Sequence, residues 1–139
     1  MEFKVTNNPS EVFDHKIANG LAEYNLQYGS GEFEKLSVYC KSEDGELIGG
    51  LIGVTYGKWL HVSELWVDEN SRKMSIGSNI LSQAEIEAIH RGCVGVTLDT
   101  YSFQSLEFYL KCGYSEFGRL DGYAGSYTRH YLKKDLPSE

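Results

Sequence analysis

Apolar and polar positions alternate and recur with clear periods along most of this chain. Leu60-His61-Val62-Ser63-Glu64-Leu65-Trp66-Val67 is β-branched and aromatic and predicts a strand. Its parity slips, however: Leu60 and Val62 share one face, whereas Leu65 and Val67 belong to the other register. One extra residue near Ser63-Glu64 reconciles the two halves, which is what a β-bulge does. Ile76, Ile80, Leu81, Ala84 and Ala88 then recur at helical spacing, with Asn79, Gln83, Glu87 and His90 mostly on the wet side. Gly92 follows His90-Arg91 as a helix stop, and Val94, Val96 and Leu98 alternate in a further strand. Strand, helix and strand in this order predict parallel neighbours joined by a right-handed crossover. A bulge in the first of them splays the pair and leaves a slot.

The flanking segments read in the same way. Residues 1–6 predict a short first strand. A helix opens at Pro9-Ser10-Glu11 and runs to about Leu26, with Val12, Phe13, Ile17, Leu21 and Tyr24 as its apolar face. Leu36–Cys40 and Leu47–Tyr56 are strands around an Asp44-Gly45 hairpin turn. Gly49, Gly50 and Gly53 in the second of these point to bulges or close backbone approach. A short helix spans roughly Gln104–Lys111, ended by Gly113. Tyr114–Arg119 is a strand, Asp121–Ser126 a flexible loop, and Tyr127–Leu136 a last strand. The expected fold is α/β, a central mixed sheet with helices on both faces, in a single domain over residues 1–139.

The chemistry concentrates where the first strand of the βαβ unit meets its helix. Arg72-Lys73-Met74-Ser75-Ile76-Gly77-Ser78 brings two cations and small residues to a helix N-terminus. Unpaired N–H groups and the positive end of the helix dipole attract phosphate there. The plain alternative for Arg72 and Lys73 is a solvated charged turn.

Composition narrows the partners. With a formal charge of −7 and scattered Lys and Arg, nucleic acid is a poor candidate. No run is long and apolar enough for a bilayer, and the start of the chain lacks a secretion pattern, so a cytoplasmic location without membrane attachment is expected. Cys40, Cys93 and Cys112 are odd in number and dispersed, as are the four histidines, and predict neither a disulfide nor a metal site. A homodimer through the C-terminal strands stays open.

Two motifs together resemble the GNAT-type N-acetyltransferase superfamily. Arg72-Lys73-Met74-Ser75-Ile76-Gly77, following Leu65-Trp66-Val67, is similar to its acetyl-CoA pattern of Arg or Gln, two residues, Gly, one residue, Gly or Ala. Phe108-Tyr109-Leu110-Lys111-Cys112-Gly113-Tyr114 is similar to the signature of the family's later helix. The resemblance covers about Leu47 to Leu136. It departs from the family at Ser75, usually Gly, and at Met74.

The resemblance implies acetyl-CoA as co-substrate, with no metal, and direct transfer to an amine in a ternary complex. Arg72, Lys73, Met74, Ser75, Ile76, Gly77 and Ser78 would hold the pyrophosphate. Leu65, Trp66 and Val67 would pair with the pantetheine arm, and Gln104 would bond its amides. Tyr109 matches the tyrosine that protonates the leaving thiolate. His61 and Glu64 are the candidate bases, with solvent as the alternative. Trp59, Trp66, Tyr101 and Phe103 would line the acceptor site, with Asp99, Glu64 and the 121–127 loop supplying polarity. The acceptor stays open between a small-molecule amine, a polyamine, an amino acid, an aminoglycoside-like drug and a protein N-terminus. A CoA-binding module without turnover is the competing reading. Another α/β nucleotide binder is disfavoured by the missing P-loop and Gly-x-Gly-x-x-Gly patterns.

Overall fold

A computed structural model describes residues 1–29, 32–72 and 75–138. The chain divides into two compact units, residues 1–31 and 32–139. The first contains one helix, α1 (Glu11–Leu26), whose start is capped by Ser10 Oγ accepting from the Phe13 amide at 3.2 Å. Its apolar stripe finds no partner within this unit, because the helix is all the regular structure there. The strand expected over residues 1–6 does not form. Phe3 and Val5 alternate with polar neighbours, but among its described residues this unit has no second strand to supply ladder hydrogen bonds.

Among the described residues the second unit is a six-stranded mixed sheet carrying two α-helices, with a short 3₁₀ turn at Glu69–Ser71. In chain order it contains β1 (Glu34–Lys41), β2 (Leu47–Tyr56), β3 (Trp59–Val67), α2 (Ile76–His90), β4 (Gly95–Tyr101), α3 (Leu106–Lys111), β5 (Ser115–Ala124) and β6 (Tyr127–Asp135). Spatial order is β1-β2-β3-β4-β6-β5, with β3 and β4 the parallel pair. The Ser42–Gly45 turn closes the first hairpin, Gly45 taking φ +84°. Where a flexible loop was expected at 121–126, β5 continues to Ala124. Pairing with β6 overrides the turn-like Asp121-Gly122 composition, and the cost is a register irregularity between Leu120 and Ala124.

One face of the sheet builds the core. Leu51, Leu60, Val96, Leu98 and Leu132 are fully buried there against Ile80, Leu81, Ala84 and Ala88 of α2. From α3, Tyr109 joins this cluster, with Leu106 and Phe108 at its edge. The small residues on α2 let the helix lie close to the strands. Gly49 does the same from the sheet side, since a Cβ there would meet Ile80 Cδ1 at 3.0 Å and the Trp66 carbonyl oxygen at 3.2 Å.

Two features position the site. In the β2–β3 ladder, Ile52 pairs with Glu64 but Gly53 pairs with Val62, so Ser63 is the extra residue of a bulge. Gly53 fits the bend because a Cβ would stand 2.8 Å from the His61 carbonyl oxygen. The parallel β3–β4 pairing covers only Trp59–His61 against Gly95–Thr97 and then stops. Beyond the bulge the strands part.

Gly49→Ala is expected to cost about 1–3 kcal/mol, the usual range for overpacking a tight contact. Urea unfolding measures it, and an unchanged midpoint would show that α2 does not need this close approach.

Candidate active site

The parted strands form one wall of a groove of about 990 Å³. β3 contributes Val62 through Val67, the start of α2 contributes Ser75, Gly77 and Ser78, and Arg72 precedes them. β4 and the segment after it contribute Leu98, Asp99, Thr100, Phe103, Gln104 and Ser105, and α3 contributes Phe108, Tyr109, Lys111 and Cys112. Most of the sequence-predicted residues therefore converge. Lys73 and Met74 lie outside the described residues. Ile76 packs at the edge of the core. His61 precedes the bulge, pairs with Thr97, and does not line the groove. Trp59 is not there either. Its ring lies over Gly95, lining a separate small cavity with Thr97, Phe117 and Lys133.

The start of α2 has an unusual backbone. Ser75 adopts the left-handed conformation at φ 60°, ψ 19°, and its side chain makes no capping hydrogen bond. A left-handed backbone disfavours any residue with a Cβ, which explains why glycine suits this position. The first helical hydrogen bond runs from the Asn79 amide to the Ser75 carbonyl at 3.1 Å. The amides of Ile76, Gly77 and Ser78 precede it and lie outside the helical ladder. Arg72 braces the approach by donating from Nε to the Val67 carbonyl at 3.1 Å. Gly77 faces Phe108, whose ring would stand 3.3 Å from an added Cβ. The glycine thus joins the α2 start to α3.

Strand alternation sends groove side chains to both faces of the sheet. Leu65 and Val67 join the core side, where Tyr109 also lies, so Glu64 and Trp66 point to the other face. On β4, Leu98 and Thr100 are buried on the core side, and Asp99 and Tyr101 point away from it. Gln104 turns its carboxamide oxygen inward, accepting from the Tyr101 amide at 3.0 Å and from Thr100 Oγ1 at 3.3 Å. Its expected contact with a ligand is limited to the remaining NH₂ group.

Tyr109 is buried, packed edge-on against Phe108 and Tyr114. Burial pushes its phenol up to about 12, with Cys112 and Asp99 adding repulsion toward a phenolate. It is therefore protonated at every working pH, and its hydroxyl is available as a donor. Beneath it, burial and then the 2.7 Å hydrogen bond to Glu85 raise the Tyr114 phenol as well. Lys134 Nζ donates to the other Glu85 oxygen at 2.9 Å and to the Cys112 carbonyl at 3.0 Å, tying β6 to α2 and α3. Among the described residues no three His, Cys, Asp or Glu side chains are grouped to hold a metal, and no helix is long and apolar enough to cross a membrane.

Residues 9–114 match the Acetyltransferase (GNAT) family. The chain belongs to that family, and it is an acetyltransferase. It is 38% identical over 104 residues to blasticidin-S acetyltransferase of Streptomyces morookaense, covering 74% of this chain and 76% of the relative. Acetyltransferase Atu2258 of Agrobacterium fabrum is 30% identical over 135 residues, covering 96% and 98%. A crystal structure of an acetyltransferase from Bacillus cereus ATCC 14579 superposes with a TM-score of 0.87 at 34% identity, covering 96% of this chain and 98% of that one.

Both tyrosines hold pKa values above the ordinary phenol value of 10.0 in the folded state. Their neutral forms therefore stabilise the fold fully below pH 10. That contribution fades as the unfolded chain ionises, through about 12 for Tyr109. Denaturant unfolding across this range is expected to show flat stability from these groups up to pH 10 and a decline above it. A Tyr109 phenol titrating at 10 by ultraviolet absorbance would contradict the placement.

Proposed function

We propose that the protein transfers the acetyl group of acetyl-CoA to the amine of a small molecule, by direct attack within a ternary complex. The observation that carries this reading is the juxtaposition, in one groove, of the free amides at the start of α2 with the unpaired half of β3. The amides of Ile76, Gly77 and Ser78, with Arg72 and Lys73, receive the pyrophosphate. The edge of Leu65, Trp66 and Val67 turned toward β4 receives the pantetheine amides as a substitute strand. One of its amide N–H groups polarises the thioester carbonyl as negative charge develops there.

The chemistry then needs four proton transfers in order. An alkyl ammonium with pKa near 10 first loses one to solvent. The neutral nitrogen adds to the carbonyl carbon, forming the C–N bond and an oxyanion. Collapse breaks the C–S bond, and Tyr109 gives its proton to the sulfur, whose conjugate acid has pKa around 8.5. The new amide nitrogen loses its remaining excess proton through solvent, and Tyr109 is reprotonated. Glu64, at the bulge and lining the groove, is better placed than His61 to receive the first proton through water. The small-molecule acceptor follows the blasticidin-S acetyltransferase likeness. Residues 1–139 act as one catalytic domain in this reading, supported by a family match that begins at residue 9, inside the first unit.

Acetyl-CoA at a hundred times its Kd is expected to stabilise the protein by about 2.7 kcal/mol in a thermal shift measurement. No stabilisation at millimolar acetyl-CoA would refute the proposal. Stabilisation without thiol release across an amine panel would leave only a CoA-binding module. Tyr109→Phe is expected to lower kcat by about a hundred-fold or more, with the acetyl-CoA shift retained. An unchanged kcat removes Tyr109 from the transfer.

A further inference from the structure

On the sheet face away from α2, the groove opens beside an arrangement that acetyl transfer alone does not require. Asp99 lines the groove, and Arg129 donates from Nε to Asp99 Oδ2 at 2.9 Å. The two residues sit on adjacent strands, two register positions apart and so on the same face, since Tyr101 pairs with Arg129 and Asp99 with Tyr131. The same guanidinium donates to the Tyr123 hydroxyl at 2.9 Å and lies 5.0 Å from the ring centroids of both Tyr123 and Tyr131. Tyr101 stacks on Phe103 with centroids 5.4 Å apart and planes 10° apart, and Tyr127 meets Phe103 edge-on at 4.6 Å.

These contacts make one continuous ring wall from β4, the segment after it and the tip of the β5–β6 hairpin. Residues 32–139 do not themselves bury its members: Phe103 is 56% exposed, Tyr123 48% and Tyr127 45%. A fixed, solvent-facing aromatic surface this large is uncommon unless something docks on it. The groove beside it carries the carboxylates Glu64 and Asp99, with Arg72 and Lys111 also among its lining residues. Arg129 holds the Asp99 carboxylate in place through one oxygen, leaving the other to accept. Asp99 and Tyr109 both line the groove, Asp99 from the face away from α2 and Tyr109 from the core side.

We propose that Asp99, positioned by Arg129, and the Tyr101–Phe103–Tyr123–Tyr127 wall form the acceptor subsite, and that it takes a primary amine carried close to a planar aromatic or heteroaromatic ring. Asp99 accepts from the incoming ammonium, the ring stacks on exposed Phe103, and Arg129 is a positioning residue that never touches the acceptor. Opposite faces of the sheet then receive the two substrates: CoA from the α2 side and the amine from the ring-wall side, meeting where β3 and β4 part. This assignment rests on the acetyl-transfer reading and names its substrate class.

The test uses full-length protein saturated with CoA, titrated calorimetrically with 2-phenylethylamine and with its ring-saturated counterpart 2-cyclohexylethylamine. The two differ in planarity and π character while sharing the amine and its reach. The phenyl compound is expected to bind about ten-fold more tightly, the scale of a good aromatic contact. Phe103→Leu, which keeps apolar volume, is expected to bring the two within about two-fold of each other by removing that contact. Asp99→Asn is expected to weaken both by about ten-fold or more while CoA stabilisation persists. Arg129→Lys, which restores a donor to Asp99, is expected to lose less than Arg129→Gln. Equal binding of the two amines to the wild-type protein overturns the subsite, as does an Asp99→Asn variant that holds CoA and binds both amines normally. Should Asp99→Asn fail to fold, the Phe103→Leu ratio decides alone. Failure of CoA itself to stabilise the protein would be a failure of the acetyl-transfer reading, and is read separately.

Discussion

The end of hydrogen bonding between β3 and β4 is the constraint on which the rest of the site depends. Parallel strands pair along their length unless something turns one away, and here Ser63 is inserted opposite the Ile52–Gly53 junction of β2. The pairing with β4 stops after His61 and Thr97. Backbone groups buried without partners are costly, so an edge opened inside a domain is stable only where water or a ligand can satisfy it. A pantetheine arm, with two amides at strand-like spacing, is such a ligand. The bulge also moves the side chains on by one position, which keeps Leu65 and Val67 on the core side and puts Glu64 at the opening.

The elements around this opening are held by contacts that trade stability for placement. Ser75 occupies a left-handed backbone region where a Cβ costs about 1–2 kcal/mol. The strain persists because Gly49 lets α2 settle on the sheet and Gly77 packs against Phe108. These contacts fix where the helix begins, hence where its free amides point. On the far side, the Glu85–Tyr114–Lys134 cluster joins α2, β6 and the end of α3, so the element carrying Tyr109 is anchored at its C-terminus. A rigid frame of this kind positions a proton donor without needing a mobile segment.

Local patterns made much of this visible in the sequence. β2 spans Leu47–Tyr56, as read from the Asp44-Gly45 hairpin turn, α2 (Ile76–His90) carries the apolar stripe read from helical spacing, and the parity slip between Val62 and Leu65 located the bulge. What was not legible depended on partners distant in sequence. Asp121-Gly122 has turn chemistry, yet pairing with β6 carries β5 to Ala124. Trp59 and His61 could be counted toward the motif, but only the three-residue span of parallel pairing shows that they precede the opening. Arg129 carried no local signal at all. Its importance arises from the β4–β6 register that sets it against Asp99 and among three tyrosines. Tyr101 at the end of β4 and Tyr127 and Tyr131 in β6 were the one available hint.

Site-resolved amide hydrogen exchange, followed with and without CoA, tests the central claim most directly. If the edge of β3 left unpaired by β4 receives the pantetheine arm, slowing on CoA addition concentrates at the Leu65 and Val67 amides and at Ile76–Ser78, with Trp66 already protected by β2 and little changed. Exchange at Leu65 and Val67 that is slow without ligand, or unaltered when CoA is bound, would contradict it.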